Sequence, residues 1–173
     1  MAELVVLGLG SNKDFSPSPS RNLSSEKILL CAVDELSKIF IPNTMNSSSI
    51  YTSRAMYYEN QDDFLNMVVC GMYEGEPCEL LDKIHRIEAN FGRNRQNEIR
   101  NGPRTLDIDI ELFGKRIINT ENLVIPHKKI TERQFVLLPL LEILPECAEP
   151  ISGDLFKDIL KKLPDQQVRL FNM

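Results

Sequence analysis

Residues 106–112 read Leu-Asp-Ile-Asp-Ile-Glu-Leu, and this stretch decides the fold. Apolar side chains occupy the even positions and acidic side chains the odd ones, which is the two-residue period of a β-strand with one buried face. The apolar face is predicted to join the core. The acidic face, which carries Asp107, Asp109 and Glu111, must then meet solvent, a cation or a ligand.

The segments before this strand supply a first strand and a first helix. Residues 4–9 form a short apolar run that ends among glycines, which favours a buried strand over a helix. Ser24 and Ser25 are predicted N-caps of a helix with one apolar stripe, and Pro42 is predicted to end it.

The middle of the chain supplies two more strands and a second helix. Residues 46–52 alternate weakly and residues 64–73 form a longer apolar run, so we expect the two to pair as a hairpin. Pro77 stands at a first helical position and Gly92 at the C-cap of that helix. The order strand, helix, strand, strand, helix, strand predicts an α+β, ferredoxin-like (βαββαβ) antiparallel sheet with helices packed on it.

Smaller elements are predicted around this core. Residues 13–21 lack periodicity and should form a surface loop. After the acidic strand we expect a C-terminal hairpin over residues 114–118, an extended segment at 122–126, and short helices near 132–141 and 154–163. Residues 1–173 as a whole are expected to form a single catalytic domain.

The composition narrows the classes of function. With 42% hydrophobic residues and a net charge of −5, the chain is globular, and its surface as a whole should not attract nucleic acid or anionic membranes. No apolar stretch is long enough for a membrane span. Four cysteines without a C-x-x-C pair and only two histidines argue against a zinc site. Because no targeting segment is evident, we expect the chain to lie in the reducing cytoplasm. We also expect it to be a monomer.

Arginines cluster just before the acidic strand. Five of the ten arginines lie between Arg86 and Arg104. Asp107 and Asp109 should stand about 7 Å apart on one strand face. Carboxylates of this kind bind Mg²⁺, and arginines neutralise phosphate oxygens, so the combination suits a nucleoside triphosphate and phosphoryl transfer. The alternative is an ordinary solvated acidic face with helix-end ion pairs, since Asp-x-Asp is common.

The local sequence leaves the roles of the two histidines open. His127 follows Pro126 and suits either a contact to a phosphate or base or a structural role. His85 lies in the predicted second helix, where a surface or packing role is expected. No Walker A or G-x-G-x-x-G motif occurs, so phosphate binding is assigned to arginines and metal.

Residues 101–110, Asn-Gly-Pro-Arg-Thr-Leu-Asp-Ile-Asp-Ile, resemble the signature of the hydroxymethyl-dihydropterin pyrophosphokinases of folate biosynthesis. The resemblance continues at Leu-Gly-Ser-Asn (9–12), Phe-Leu-Asn (64–66), Arg-Ile-Glu (86–88), Val-Ile-Pro-His (124–127) and Arg-Gln-Phe-Val-Leu-Leu-Pro-Leu (133–140). It implies an enzyme that transfers the β,γ-diphosphate of ATP to the hydroxymethyl oxygen of the dihydropterin and releases AMP.

The resemblance also implies the residues of the site. Asp107 and Asp109 would hold two Mg²⁺ ions and, with Arg93 and Arg95, carry the catalysis; both arginines lie in a loop that closes over nucleotide in the family. The residues expected on the ATP side are His85, Glu88, Arg93, Arg95, Arg104, Ile110, His127, Lys128 and Arg133. Those expected around the pterin are Ser53, Met56, Phe64, Asn66 and Phe135.

For the pterin, Phe64 and Phe135 would stack on the flat ring, while Asn66 offers a donor and an acceptor to its amide edge. Without the resemblance, plain core positions would be the preferred interpretation of both aromatic side chains.

Four positions depart from the family pattern. Arg54 replaces a common proline, Asn101 replaces an aromatic that covers the pterin in many members, His85 replaces a glutamine, and Lys128 replaces a tyrosine.

Two other functions remain as alternatives at this point. One is a different two-metal nucleotidyl or phosphoryl transferase on the same fold, which product identity would distinguish. The other is a ferredoxin-like RNA-binding module, which needs exposed aromatics and a broadly basic face. The net charge and the acidic strand face argue against the second.

Overall fold

The structure, a computed structural model, describes residues 1–55, 61–94 and 102–172. The strands are β1 (Glu3–Ser11), β2 (Phe15–Ser18), β3 (Arg21–Leu23), β4 (Asn46–Ser47), β5 (Tyr51–Ser53), β6 (Phe64–Tyr73), β7 (Asp107–Phe113), β8 (Ile118–Asn119), β9 (Val124–Ile125) and β10 (Arg169–Leu170). The helices are α1 (Ser25–Ser37), α2 (Pro77–Asn90), α3 (Gln134–Ile143) and α4 (Phe156–Lys162), with a 3-10 turn at Ile130–Glu132.

The main sheet has the ferredoxin-like strand order. β7 forms one edge and is followed by β1, β6, β5 and β10, while β4 also pairs with β6. All of these pairs are antiparallel. Because α1 lies between β1 and the β5–β6 hairpin and α2 lies between β6 and β7, the predicted α+β fold class is confirmed.

Helices cover both faces of this sheet. On one face, α1 and α2 contribute Leu29 and Ile84 to the larger core cluster. On the other face, α3 and α4 contribute Leu137 and Phe156 to a second cluster that includes Val68 of β6. An RNA-binding module of this fold uses an open sheet face, so the covered sheet disfavours that alternative.

Strand β7 does not keep its alternation to the end. Leu7 pairs with Ile110 but Val6 pairs with Leu112, which leaves Glu111 as the extra residue of a β-bulge. Leu112 consequently lies in the cluster of α3 and α4, while Ile110 lies in that of α1 and α2. The prediction that these two residues share one face is wrong, because an inserted residue reverses the alternation beyond it.

Helix α1 begins as predicted and ends early. Ser24 is its N-cap, but the helix stops at Ser37 rather than at Pro42. Beyond it the chain tightens into a turn with i to i+3 backbone bonds. This turn brings the ring of Phe40 against Gly71 of β6, where a Cβ would lie 2.7 Å from the ring.

Residues 13–21 are not the predicted loop, because they contain β2, which pairs with β3. Phe15 of β2 lies against Gly92, whose φ is +81° and where a Cβ would come within 2.3 Å of the ring. Gly92 follows the C-cap of α2, so this hairpin packs at the end of that helix.

Two other predicted segments differ in detail. Residues 46–52 contain two short strands, β4 and β5, in place of one, although β5 pairs with β6 as expected. The C-terminal hairpin is formed by β8 and β9 rather than by residues 114–118. Across the part of the chain that the structure describes, no helix combines the length and apolar character needed to cross a membrane.

Candidate active site

A cavity of about 250 Å³ opens on the sheet face that carries α3, next to the first turn of that helix. Strands β1, β6 and β7 form its floor. Its lining includes Gly8, Gly10, Ser53, Arg54, Phe64, Asn66, Arg104, Asp107, Asp109, Glu111, His127, Arg133 and Phe135. Residues predicted for the metal, for the nucleotide and for the pterin thus meet in one place.

Asp107 is held between two arginines. Its Oδ1 accepts a hydrogen bond from Arg93 and its Oδ2 accepts one from Arg104. Burial alone would raise the pKa of Asp107, but the two guanidinium groups outweigh burial and hold that pKa below its ordinary value. Asp107 is therefore a carboxylate at neutral pH.

Glu88 fixes one of these arginines and the strand beside it. It is a buried residue of α2 whose Oε1 accepts from Arg93 at 2.5 Å and from the backbone N–H of Ile108 at 2.9 Å. The same carboxylate thus joins α2 to β7 and orients the side chain that contacts Asp107.

The negative charge of Asp109 has fewer cationic neighbours than that of Asp107. Its Oδ2 lies 3.4 Å from Arg133 Nη1 and 4.0 Å from His127 Nε2. Removal from bulk water and the neighbouring charge of Asp107 raise the pKa of Asp109 to about 6. The charged form of Asp109 is therefore less well stabilised by the protein than that of Asp107, and a bound cation would stabilise it.

His127 is a neutral hydrogen-bond donor in this setting. Burial and the nearby charge of Arg133 lower the pKa of His127 to about 4. Its Nδ1 accepts from the backbone N–H of Lys129 at 3.2 Å, so the ring proton lies on Nε2, which points toward Asp109. The backbone N–H of His127 donates to Glu111 O at 2.9 Å, so the β7 bulge positions this ring beside the cavity.

Glu111 is a cavity residue to which sequence reasoning assigned no role. It is 1% exposed, and its Oε2 has no hydrogen-bond partner in the part of the chain that the structure describes. Burial, followed by the charge of Asp109, raises the pKa of Glu111 well above its ordinary value. The only sequence signal was its position as the third acid of the alternating strand, because the bulge and the burial depend on packing against β1.

The residues predicted for the pterin lie on the β6 side of the cavity. Asn66 is buried, and its Nδ2 donates to Ser53 Oγ at 2.9 Å and to Phe64 O at 3.3 Å. The rings of Phe64 and Phe135 line the same cavity. The guanidinium carbon of Arg133 lies 5.4 Å from the ring centroid of Phe135, which connects the two halves of the site.

Some predicted residues are placed elsewhere. Ile110 is buried in the core cluster on the opposite face of the sheet, so only its backbone can approach the cavity side. His85 is half-buried on α2 and Lys128 is exposed, and neither side chain is part of the described lining. Met56 and Arg95 lie outside the described residues.

The acidic pair fits a magnesium ion. Mg²⁺ takes oxygen ligands, uses one or two protein carboxylates and leaves its other positions to water and substrate phosphates. Asp107 and Asp109 provide such a pair on one strand face. Within the described ranges no three His, Cys, Asp or Glu side chains are close enough to hold one metal ion together. The other ligands of such an ion would be water and substrate oxygens.

The sequence matches the model of a known protein family. The family model described as 7,8-dihydro-6-hydroxymethylpterin-pyrophosphokinase (HPPK) matches residues 6–145, a range that contains every residue of the cavity lining. The chain belongs to the HPPK family.

Relatives within the HPPK family differ in length. The 2-amino-4-hydroxy-6-hydroxymethyldihydropteridine pyrophosphokinase of Haemophilus influenzae is 36% identical over 166 residues, which are 96% of this chain and 96% of that protein. The folic acid synthesis protein fol1 of Pneumocystis carinii is 34% identical over 96% of this chain, but this chain spans only 21% of its length.

Solved structures support the fold. The crystal structure of Plasmodium falciparum HPPK-DHPS with pteroate superposes with a TM-score of 0.67 at 16% sequence identity. The superposition covers 94% of this chain and 42% of that one. At this level of identity the likeness establishes the HPPK fold alone.

Proposed function

We propose that this chain is a Mg²⁺-dependent pyrophosphokinase that acts on 6-hydroxymethyl-7,8-dihydropterin in folate biosynthesis. The hydroxymethyl oxygen attacks the β-phosphorus of ATP and loses its proton to water. The bond from that phosphorus to the oxygen bridging the α-phosphate breaks, and AMP leaves. The second product is the dihydropterin-methyl diphosphate. Membership of the HPPK family supports this assignment.

One observation carries the proposal: two kinds of chemistry line a single cavity. Asp107 and Asp109 stand among arginines on the β7 side. Asn66 and two phenylalanines stand on the β6 side. A triphosphate on the first group and a flat heteroaromatic ring on the second would meet between them, which is the proximity that a transfer between two substrates requires.

The nucleotide side of the cavity has hydrogen-bond donors that could bind a ligand. Arg104 Nε and Arg133 Nε are buried and have no hydrogen-bond partner among the described residues, and neutral His127 carries a proton on Nε2. These groups are suited to phosphate oxygens. Mg²⁺, held by Asp107 and Asp109, would neutralise charge that develops on the triphosphate during transfer.

The pterin side offers stacking and one polar edge. Phe64 and Phe135 supply apolar ring surface. Because Asn66 Nδ2 donates to Ser53 Oγ and to Phe64 O, the amide presents its carbonyl oxygen in a fixed direction. Recognition of the pterin amide edge is therefore assigned to Asn66.

The remaining predicted residues extend this assignment through the resemblance to the family. Arg95, His85, Lys128 and the backbone of Ile110 are proposed as further nucleotide contacts, and Met56 as a further pterin contact. Glu88 is proposed to act through Arg93 as a positioning residue.

The cellular setting is also part of the proposal. We propose that residues 1–173 form one catalytic domain of a monomeric cytoplasmic enzyme, with small-molecule substrates rather than nucleic acid or membrane partners. The free cysteines agree with a reducing compartment.

Product analysis tests the function. The chain is incubated with ATP, Mg²⁺ and the pterin alcohol, and nucleotides are separated by chromatography. We expect AMP in proportion to pterin consumed, and no AMP from Asp107→Ala or Asp109→Ala. Formation of ADP, or of free pyrophosphate, would instead favour another phosphoryl or nucleotidyl transferase.

A further inference from the structure

Glu111 is a buried carboxyl group that the proposed chemistry does not use. Its side chain is 1% exposed and lines the cavity, and its Oε2 atom has no hydrogen-bond partner within residues 1–55, 61–94 and 102–172. Buried polar atoms are nearly always hydrogen-bonded, since an unpaired one is costly. Such an atom inside a substrate cavity can accept a hydrogen bond from a ligand or a water molecule bound there.

Two backbone features create this position. The β-bulge places Glu111 as the extra residue of β7, opposite β1. On β1, Gly8 leaves the space that the side chain occupies, because a Cβ there would lie 3.0 Å from Glu111 Oε1 and 3.4 Å from its Cγ. The Glu111 side chain therefore occupies a space that is open because residue 8 is a glycine.

Among the residues that the structure describes, no group donates a hydrogen bond to Oε2. His127 Nδ1 is nearest among the ion-pair contacts, at 3.8 Å, but that nitrogen already accepts from Lys129 and has no proton to donate. The same imidazole ring presents Nε2 to Asp109 at 4.0 Å. His127 therefore lies between Glu111 and the acid that is assigned to the cation, with the cavity as the remaining source of a donor.

We propose that Glu111 is a positioning residue of the cation site, whose Oε2 accepts a hydrogen bond from a water molecule on the Mg²⁺ ion that Asp109 would bind. This inference rests on the proposed function, which places the cation at Asp109. Mg²⁺ normally retains several water ligands. Within the described ranges Asp107, Asp109 and Glu111 are not close enough to hold one metal ion together, so Glu111 is assigned to the water molecule and not to the ion itself. Loss of outer-shell partners typically weakens metal affinity about 10–100-fold.

Manganese binding tests this role without turnover. The full chain with α,β-methylene-ATP is titrated with Mn²⁺, and free Mn²⁺ is measured by electron paramagnetic resonance. Glu111→Leu should weaken Mn²⁺ binding about 10-fold or more, whereas Glu111→Gln, which keeps an acceptor oxygen, should weaken it less, by about 3-fold. Wild-type affinity in Glu111→Leu would overturn the proposal. Should that variant fail to fold, Glu111→Gln decides, and its unchanged affinity would be the contradicting result.

Two controls separate this inference from the proposed function. Glu149→Gln alters another buried glutamate, which accepts from Ser152 N and lies outside the cavity lining, and its Mn²⁺ affinity should match wild type. Asp109→Asn should weaken Mn²⁺ binding most. If Asp109→Asn has no effect, the cation assignment itself fails. If only Glu111→Leu has no effect, the outer-shell role fails and the proposed function stands.

Discussion

Asp107 and Asp109 are separated by one residue, yet their side chains have opposite electrostatic surroundings. Asp107 is held by Arg93 and Arg104, which keep its pKa below the ordinary value. Asp109 has one arginine at 3.4 Å, and its pKa is raised to about 6. The strand pattern predicted an equivalent pair. The difference could not be predicted because it depends on where packing of Glu88 and α2 places the Arg93 side chain.

Replacing each aspartate with asparagine should separate folding from chemistry. Both variants should lose AMP formation. Asp107→Asn should lower the free energy of unfolding by about 1–3 kcal/mol, because Arg93 and Arg104 lose a charged acceptor. Asp109→Asn should unfold no more easily than wild type at neutral pH. Urea denaturation without divalent cations measures both, and a larger loss of stability in Asp109→Asn would contradict the account.

The pH dependence of this comparison has a definite sign. The pKa of Asp109 is about 6 in the folded chain and about 3.8 when unfolded. The folded state therefore binds more protons in between, and ionisation of Asp109 reduces stability as pH rises from about 4 to 6. The stability of Asp109→Asn relative to wild type should increase over this interval and then level off. A relative stability that falls over the same interval would exclude the raised pKa.

Arg93→Ala should impair turnover more than pterin binding. Arg93 contacts Asp107 and Glu88, and it is not part of the described cavity lining that holds Asn66. We expect kcat to fall about 10²–10³-fold, as for loss of one preorganised charged donor, with the pterin Kd nearly unchanged. Arg169→Ala, which removes an exposed arginine paired with Asp165, is the matched control and should behave as wild type. Equal damage to kcat and to pterin affinity would mean that Arg93 serves the pterin.

Among the structural elements, the end of β1 joins the two segments that flank the site. Asn12 is buried just beyond that strand, and its Nδ2 donates to Gln61 Oε1 at 3.0 Å and to Asp62 O at 2.9 Å. Its Oδ1 accepts from Arg104 N at 2.8 Å. One side chain thus ties the segment before β6 to the segment before β7.

Two substitutions of Asn12 should have different effects. Asn12→Asp keeps the acceptor for Arg104 N but loses the donor to Gln61 and Asp62, so the KM for the pterin should rise while that for ATP is largely retained. Asn12→Ala loses both ties, should raise both KM values, and should cost about 1–3 kcal/mol of stability. Steady-state kinetics and urea denaturation measure these effects. An identical pattern of KM changes in the two variants would show that the hydrogen bonds of Asn12 Nδ2 and of Asn12 Oδ1 do not serve different substrates.

The elements that follow local rules could be predicted, and those that depend on a distant partner could not. Apolar periods and capping residues lie within one segment, so β1, β6, β7, α1 and α2 were predicted close to their positions. The bulge at Glu111 depends on pairing with β1, and the β2–β3 hairpin depends on Phe15 packing against Gly92. The partners of Asn12 are 49 to 92 residues away in sequence, so its role was not visible either.

Over the whole molecule, the two faces of the sheet differ in what they carry. The face covered by α1 and α2 carries the larger apolar core, whereas the face covered by α3 and α4 has the second core at one end and the cavity at the other. The βαββαβ order and most of the cavity residues could be predicted because both follow from the pattern of the chain and its family resemblance. The placement of Ile110 and Leu112 on opposite sides of that sheet could not be predicted, because it depends on the three-dimensional pairing with β1.

Ligand binding at this cavity should stabilise the whole fold and should depend on metal. α,β-Methylene-ATP with Mg²⁺ at about 100 times its Kd should add about 2.7 kcal/mol to the free energy of unfolding. With chelator in place of Mg²⁺, the same nucleotide should give a much smaller effect, because Asp107 and Asp109 then repel the phosphates. Thermal denaturation with and without metal measures the difference. Equal stabilisation in both conditions would show that the acidic pair does not bind a cation with the nucleotide.

The position of a label in the products tests the central claim most directly. The chain is incubated with Mg²⁺, the pterin alcohol and ATP labelled at the β-phosphorus. Transfer of an intact diphosphate predicts that the label moves to the pterin product and that the released nucleotide is unlabelled AMP. Label retained in ADP, with an unlabelled phosphorylated pterin, would contradict the proposed reaction.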